Sequence, residues 1–117
     1  MLTEDQVRDK ARVILAFEDT ETAKSGVGQL TTFKKLGITG AGFNNRPDGW
    51  YLPHQTTFPA IILETKSEET SLRQLQIEEL LKNCSIAHSK YKNVVGILYN
   101  GSDIMVYKNE ELLQEET

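Results

Sequence analysis

A short apolar strand that ends in three polar residues constrains this 117-residue chain more than any other feature. The apolar run 61–63 is followed directly by Glu64, Thr65 and Lys66. Because side chains alternate between the two faces of a strand, we expect Glu64 and Lys66 on one face and Thr65 on the other. Asp48 begins an earlier extended segment, and pairing of the two segments would bring it beside Glu64. Gathering these charges at the end of an apolar sheet is costly unless a cation or a charged substrate uses them.

This set of side chains suits metal-assisted hydrolysis of a phosphodiester. Mg²⁺ prefers oxygen ligands and needs only one or two protein carboxylates, because water and phosphate oxygens fill its other positions. A bound divalent ion polarises the phosphate and lowers the pKa of a water ligand, and a lysine ammonium can contact both. The alternative interpretation is an exposed Asp in a turn and an ordinary Glu–Lys pair at a strand end.

Asp48 followed by Glu64-x-Lys66 after an apolar run resembles the PD-(D/E)xK nuclease superfamily, to which many restriction endonucleases and Holliday-junction resolvases belong. Within it, the chain is most similar to the N-terminal nuclease domain of type I restriction subunits and of restriction–modification methylase fusions. The segments RPDGW, ILETKS, VVGILYNG and VYKN carry this similarity, which covers residues 46–108. The resemblance implies that Asp48 and Glu64 bind Mg²⁺, for which Mn²⁺ would substitute, and that Lys66 orients the attacking water and steadies the phosphate.

The same resemblance implies a catalytic glutamine. Nucleases of this superfamily often place a glutamine on the helix after the E-x-K strand, facing the active site. Gln76 borders the apolar face of that helix and is the first choice here, with Gln74 second. The tyrosine that follows the glutamine by four residues in the fuller pattern is absent, since Leu80 and Glu78 occupy those positions.

The superfamily also commonly adds a metal-binding acid from the first helix. Spacing alone does not choose among the acids available there, which are Glu4, Asp5, Glu18, Asp19 and Glu21. Glu18 or Glu21 stands nearer the expected separation from the E-x-K strand, whereas Glu4 lies on a segment that is securely helical. We take Glu18 as the predicted third metal ligand.

Local patterns predict the element order α, α, β, β, α, β, β. The predicted helices cover residues 4–17, 20–36 and 72–87. The predicted strands cover residues 48–52, 61–66, 94–99 and 102–107. The last two strands form a hairpin in which Asn100-Gly101 supplies the two positive φ angles of a type I′ turn. The acidic tail, residues 109–117, is predicted either as a capping helix or as the start of a longer protein.

These elements predict one α/β domain over residues 1–117. The resemblance implies the restriction-endonuclease-like form of that class: a mixed β-sheet flanked by α-helices, with a C-terminal β-hairpin. The single cysteine, Cys84, cannot form an internal disulfide, which favours a cytoplasmic protein. No apolar run is long enough to span a membrane.

The net charge of −4 does not exclude DNA as the substrate. The four acids at 110, 111, 115 and 116 account for all of it, and the 13 other acids equal the 13 lysines and arginines. The sequence therefore predicts a Mg²⁺-dependent DNA endonuclease domain. By resemblance it would work with a helicase or methylase partner, or as a homodimer where both strands are cut. The alternative is a catalytically inactive nuclease-fold module for DNA binding or assembly.

Overall fold

In the residues that the structure describes, two helices pack against a six-stranded mixed sheet. The computed structural model describes residues 1–14, 23–25, 32–35, 37–38 and 45–116. Its elements are α1 Glu4–Ile14, β1 Ala23–Ser25, β2 Gly49–Tyr51, β3 Ala60–Thr65, α2 Gln74–His88, β4 Val94–Tyr99, β5 Ile104–Lys108 and β6 Glu111–Glu116. The α/β class and the mixed sheet flanked by helices are as the sequence predicts.

The strands lie in the sheet in chain order, from β1 at one edge to β6 at the other. All neighbours are antiparallel except β3 and β4, which are parallel and joined by α2. In the β2–β3 register Gly49 lies opposite Leu63. Asp48, one residue before β2, therefore meets the chain at the carboxyl end of β3, next to Glu64.

Helix α1 begins with the capping box that the sequence predicts. Thr3 and Gln6 exchange hydrogen bonds, from the Thr3 N–H to Gln6 Oε1 (2.9 Å) and from the Gln6 N–H to Thr3 Oγ1 (3.3 Å). Val7 and Ala11 are buried, and Ala11 packs with Leu63 on one face of the sheet. This packing brings α1 close to the end of β3.

Helix α2 covers the other face of the sheet. Its buried residues Leu80 and Cys84 pack with Ile62 of β3 and Leu98 of β4. Gly96 of β4 permits this close approach, because a Cβ atom there would lie 2.5 Å from Cys84 Sγ. The predicted helix 72–87 is confirmed with a small shift of its bounds.

The prediction of a second helix over residues 20–36 is wrong where the structure describes that segment. Residues 23–25 form β1, which pairs antiparallel with β2. Residues 33–35 form a turn, with Phe33 buried, and Gly37 follows it at φ +83°. Pairing with β2 supplies hydrogen-bond partners for the backbone of β1, and this tertiary pairing outweighs the local helical pattern.

The C-terminal hairpin is confirmed, but its predicted type I′ turn is wrong. Tyr99 pairs with Ile104 across a four-residue loop, and Gly101 is the position in that loop with a positive φ, +93°. The Asn100 side chain closes the loop instead, accepting hydrogen bonds from the backbone N–H groups of Ser102 and Asp103 at 2.9 and 2.7 Å.

The acidic tail forms a strand rather than the capping helix that was one of its two predictions. Asn109 and Glu110 have φ angles of 49° and 71°, and they form a two-residue connection between β5 and β6. Two positive φ angles in such a connection are typical of a type I′ turn. Strand β6 extends the sheet by one strand.

None of the helices in the described ranges is long and apolar enough to span a membrane.

Candidate active site

Two carboxylates meet where β2 begins and β3 ends. Asp48 directly precedes β2, and Glu64 is the fifth residue of the six in β3. The antiparallel register of these strands places the two residues side by side, as the sequence predicts. Burial raises the pKa of Glu64, and the charge of the adjacent Asp48 raises it further.

Asp48 is fixed by donors from two elements. Arg8 Nη2 of α1 donates to Oδ1 at 2.9 Å. The Thr65 backbone N–H and hydroxyl donate to Oδ2 at 2.8 and 3.2 Å. The Asp48 side chain is 15% exposed and that of Arg8 is 17% exposed. Both oxygens of Asp48 are thus held in place, and a cationic group already faces the carboxylate.

Glu64 is 7% exposed and faces α2. Asn83 Nδ2 donates a short hydrogen bond to Glu64 Oε1, and Asn45 Nδ2 donates to Asn83 Oδ1 at 3.3 Å. Burial raises the pKa of Glu64 to about 9, and the nearby charge of Asp48 adds to this effect, whereas Asn83 and Lys66 oppose it. Glu64 therefore holds a proton at neutral pH in the metal-free protein.

Lys66 lies on the same side of the sheet as Glu64, whereas Thr65 faces Asp48, so the predicted alternation is confirmed. The Lys66 backbone N–H donates to the Tyr99 carbonyl at 3.0 Å. Lys66 Nζ lies 2.6 Å from Glu79 Oε2 of α2. Partial burial lowers the pKa of Lys66, but the hydrogen bond and charge of Glu79 outweigh it and raise the pKa above its ordinary value. Lys66 is therefore charged at neutral pH.

The structure does not bring Gln76 to these carboxylates. Its Oε1 accepts the backbone N–H of Arg73 at 3.0 Å, so the side chain caps the start of α2. The α2 residue that contacts Glu64 is Asn83, seven residues and about two helical turns further on. The available sequence signal for Asn83 is its position directly before Cys84, a residue on the apolar face of the predicted helix.

The predicted third metal ligand, Glu18, lies outside the described residues. Within the described part of α1, the side chain that reaches the site is basic, namely Arg8. Sequence analysis did not identify Arg8, Thr65 or Asn83 as site residues. Their roles depend on contacts between segments that are distant along the chain.

The carboxylates of Asp48 and Glu64 are oxygen ligands of the kind that a hard divalent cation prefers, and they number two. Among the described residues, no group of three or more His, Cys, Asp or Glu side chains is arranged to hold a metal ion. Mg²⁺ commonly binds through one or two carboxylates and keeps several waters. Asp48 and Glu64 lie side by side and would supply these carboxylates. Because burial, and then the charge of Asp48, raises the pKa of Glu64, a bound ion would displace the Glu64 proton.

A cavity of about 410 Å³ opens beside Glu64. Its lining residues are Asn45, Arg46, Glu64, Glu79, Lys82 and Asn83. The side chains of Arg46 and Lys82 at this cavity are exposed.

Comparison with known proteins adds no family to this geometry. The chain matches no protein-family model, no curated protein and no solved structure. The similarity to PD-(D/E)xK nucleases is therefore carried by Asp48, Glu64 and Lys66, and it stays a prediction.

Proposed function

We propose that this chain is a Mg²⁺-dependent nuclease domain that hydrolyses phosphodiester bonds in DNA. The observation that carries the proposal is the meeting of Asp48 and Glu64 across β2 and β3, with Lys66 on the Glu64 side of the sheet. Each of these groups is less than one quarter exposed. Charged groups in such a recess act more strongly on a substrate than they would in water.

Asp48 and Glu64 would hold the ion, which when bound polarises the phosphate and lowers the pKa of a water ligand. Arg8 and Thr65 keep Asp48 in position, and Asn83 orients Glu64. In the hydrolysis, a water oxygen bonds to phosphorus, the bond from phosphorus to the leaving oxygen breaks, and the leaving oxygen takes up a proton.

Lys66 stabilises the negative charge that builds on the phosphate oxygens. Its ammonium is held at the cavity by Glu79, at 2.6 Å, and its raised pKa keeps it charged. Removal of one such preorganised group typically lowers the rate by roughly 10²–10³-fold.

Calorimetric titration with Mn²⁺ and a DNA cleavage assay test the proposal together. We expect Mn²⁺ to bind wild type and Glu115→Gln, a control acid on β6, and to lose its site in Asp48→Asn. Cleavage should fall by roughly 10²-fold or more in Lys66→Ala, while circular dichroism shows an unchanged fold. Equal Mn²⁺ binding by Asp48→Asn, or cleavage at the wild-type rate by Lys66→Ala, would contradict the assigned roles.

A catalytically inactive nuclease-fold module for DNA binding or assembly is the second candidate. It is favoured by the ion pairs of the site, since Asp48 already contacts Arg8 and Lys66 already contacts Glu79. Such a module has no reason to bind Mn²⁺. A titration repeated with DNA present separates the candidates, because DNA binding with no uptake of Mn²⁺ would favour the inactive module.

The partners implied by the resemblance belong to this proposal. A helicase or methylase subunit of a restriction system would deliver the DNA, and a domain with one site would cut both strands as a homodimer. Sedimentation of the protein with and without a duplex oligonucleotide tests the second point. A cytoplasmic location stays a prediction from the single cysteine.

A further inference from the structure

The cavity beside Glu64 has walls from two separate parts of the chain. Asn45 and Arg46 come from the segment that leads into β2, whereas Glu79, Lys82 and Asn83 come from α2. Its volume of about 410 Å³ is within the range of pockets that enclose a small organic ligand. It is therefore large enough for a single nucleotide unit.

The charged groups at this cavity are not equivalent. Glu79 is held by Lys66 at 2.6 Å. Arg46 and Lys82 are both exposed, and neither forms an ion pair with an acid in the part of the chain that the structure describes. Arg46 precedes β2 and Lys82 lies on α2, so these two cations reach the cavity from separate segments and are available to different phosphates of a bound strand.

The floor of the cavity is polar and deeply recessed. Asn83 is 8% exposed and Glu64 is 7% exposed. Asn45 donates to Asn83 and Asn83 donates to Glu64, so the floor is a connected row of amide and carboxyl groups. Amide groups of this kind can hydrogen-bond the polar edge of a nucleobase, and a strand must enter the recess to bring its phosphate to Glu64.

We infer that this cavity binds one unpaired nucleotide next to the scissile phosphate, with Arg46 and Lys82 contacting the flanking phosphates. The substrate would then be single-stranded or locally unpaired DNA rather than intact duplex. A nucleotide in a duplex must first be unstacked and unpaired, and this cost is smallest for a strand that is already single. The inference rests on the proposed function and specifies its substrate.

Binding of fluorescein-labelled DNA, followed by anisotropy in metal-free buffer, tests the inference without cleavage. The probes are a short single strand and the blunt duplex of the same sequence. We expect the single strand to bind wild type roughly tenfold more tightly than the duplex. Equal or tighter binding of the duplex would overturn the inference.

Substitutions then locate the binding to the cavity. Arg46→Ala and Lys82→Ala should each weaken single-strand binding roughly three- to tenfold and reduce the slope of log K against log[salt] by about 0.7, the value for one phosphate contact on a single strand. Lys82→Glu should weaken it further. Lys92→Ala is the matched control, since this exposed lysine precedes β4 at the opposite end of the sheet. The Lys92→Ala protein should bind the single strand with the affinity of wild type. Equal affinities for Lys82→Ala, Arg46→Ala and Lys92→Ala would overturn the inference.

The two proposals fail in different ways. Single-strand binding that depends on Arg46 and Lys82, without Mn²⁺-dependent cleavage, supports the cavity inference and contradicts the proposed nuclease. Mn²⁺-dependent cleavage of duplex DNA that Arg46→Ala and Lys82→Ala leave unchanged supports the nuclease and contradicts the cavity inference.

Discussion

Glu64 is a buried carboxyl group whose surroundings control its protonation. It ends an apolar strand, and its neighbours are an amide, Asn83, and a second carboxylate, Asp48. Desolvation penalises the charged form of such a group, and a nearby carboxylate adds to the penalty. The proton on Glu64 therefore belongs to the metal-free folded state, and this state has a characteristic pH dependence.

The free energy of unfolding should fall as the pH rises from about 4.5 to about 9. In this window the folded state keeps the Glu64 proton, because its pKa is raised from 4.5 to about 9, whereas the unfolded chain has already lost it. One proton corresponds to a slope of at most about 1.4 kcal/mol per pH unit. Glu64→Gln should remove this contribution, and Glu115→Gln should retain it. Urea unfolding of the three proteins between pH 5 and about 8.5 measures the slopes, and equal slopes for wild type and Glu64→Gln would refute the assignment.

Arg8 supplies positive charge to Asp48 in the structure. Arg8→Gln leaves a largely buried carboxylate with Thr65 as its remaining donor residue, so we expect a loss of about 1–3 kcal/mol in the free energy of unfolding. Saturating Mn²⁺ should raise the melting temperature more in Arg8→Gln than in wild type, because the ion then neutralises Asp48 alone. Lys10→Gln, on the same helix but exposed, is the control and should change stability by less than about 0.5 kcal/mol. An equal Mn²⁺ effect in Arg8→Gln and wild type would argue against this role.

At the scale of elements, the position of α2 on the sheet determines whether Asn83 reaches Glu64. The helix packs over β3 and β4, with Leu80 and Cys84 buried against the sheet. Gly96 of β4 lies directly below these residues. The closeness of α2 to the sheet at this point is therefore a condition for the geometry of the site.

Gly96→Ala should destabilise the protein by about 1–3 kcal/mol through overpacking. The added Cβ would lie 2.5 Å from Cys84 Sγ and 3.3 Å from Leu80 Cδ atoms, so α2 must shift. Cys84→Ala removes the closest of these contacts, and the effect of Gly96→Ala should be smaller in that background than in wild type. A thermodynamic double-mutant cycle measures this coupling, and additive effects would show that the contact does not control the packing.

The turn between β5 and β6 offers a stabilising substitution. Glu110 has φ 71°, a conformation that costs a residue with a Cβ more than it costs glycine. The Glu110 carboxylate lies 3.8 Å from His88 Nδ1 in a partly exposed contact that contributes little to stability. We expect Glu110→Gly to raise the free energy of unfolding by about 0.5 kcal/mol, whereas the control Glu111→Gly, inside β6, should lower it by about 0.5–1 kcal/mol. A loss of stability in Glu110→Gly as large as in Glu111→Gly would contradict the strain at this turn.

At the scale of the whole molecule, the site joins elements that are far apart in the chain. Arg8 lies on α1, Asp48 precedes β2, Glu64 lies next to the last residue of β3 and Asn83 lies on α2. A ligand that binds this arrangement and not the unfolded chain must stabilise the entire fold. Binding of such a ligand and global unfolding are therefore linked.

Mn²⁺ at about 100 times its dissociation constant should increase the free energy of unfolding by about 2.7 kcal/mol. The physical reason is that the unfolded chain separates Asp48 from Glu64 and so loses the site. Asp48→Asn should show no such increase, and Glu115→Gln should show all of it. Thermal unfolding at a series of Mn²⁺ concentrations provides the measurement, and a melting temperature independent of Mn²⁺ in wild type would speak against the metal site.

Local sequence alone was sufficient for several elements and for the alternation of side chains at the end of β3. Alternation along β3 correctly separates Glu64 and Lys66 from Thr65, and the capping box of Thr3 and Gln6 marks the start of α1. These features depend on neighbours within a few residues, so their physical causes are present in any short segment of the chain.

Contacts between distant segments decided the rest, because local patterns do not encode which surfaces meet. Pairing with β2 makes residues 23–25 a strand, and pairing with β5 makes the acidic tail a strand. Packing of α1 brings Arg8 to Asp48, and the seating of α2 on Gly96 selects Asn83 rather than Gln76 to contact Glu64. The sequence by itself thus predicted that Asp48 and Glu64 meet at the end of β3. Only the tertiary structure determined which donors hold them, since burial and long-range packing control those contacts and the pKa of Glu64.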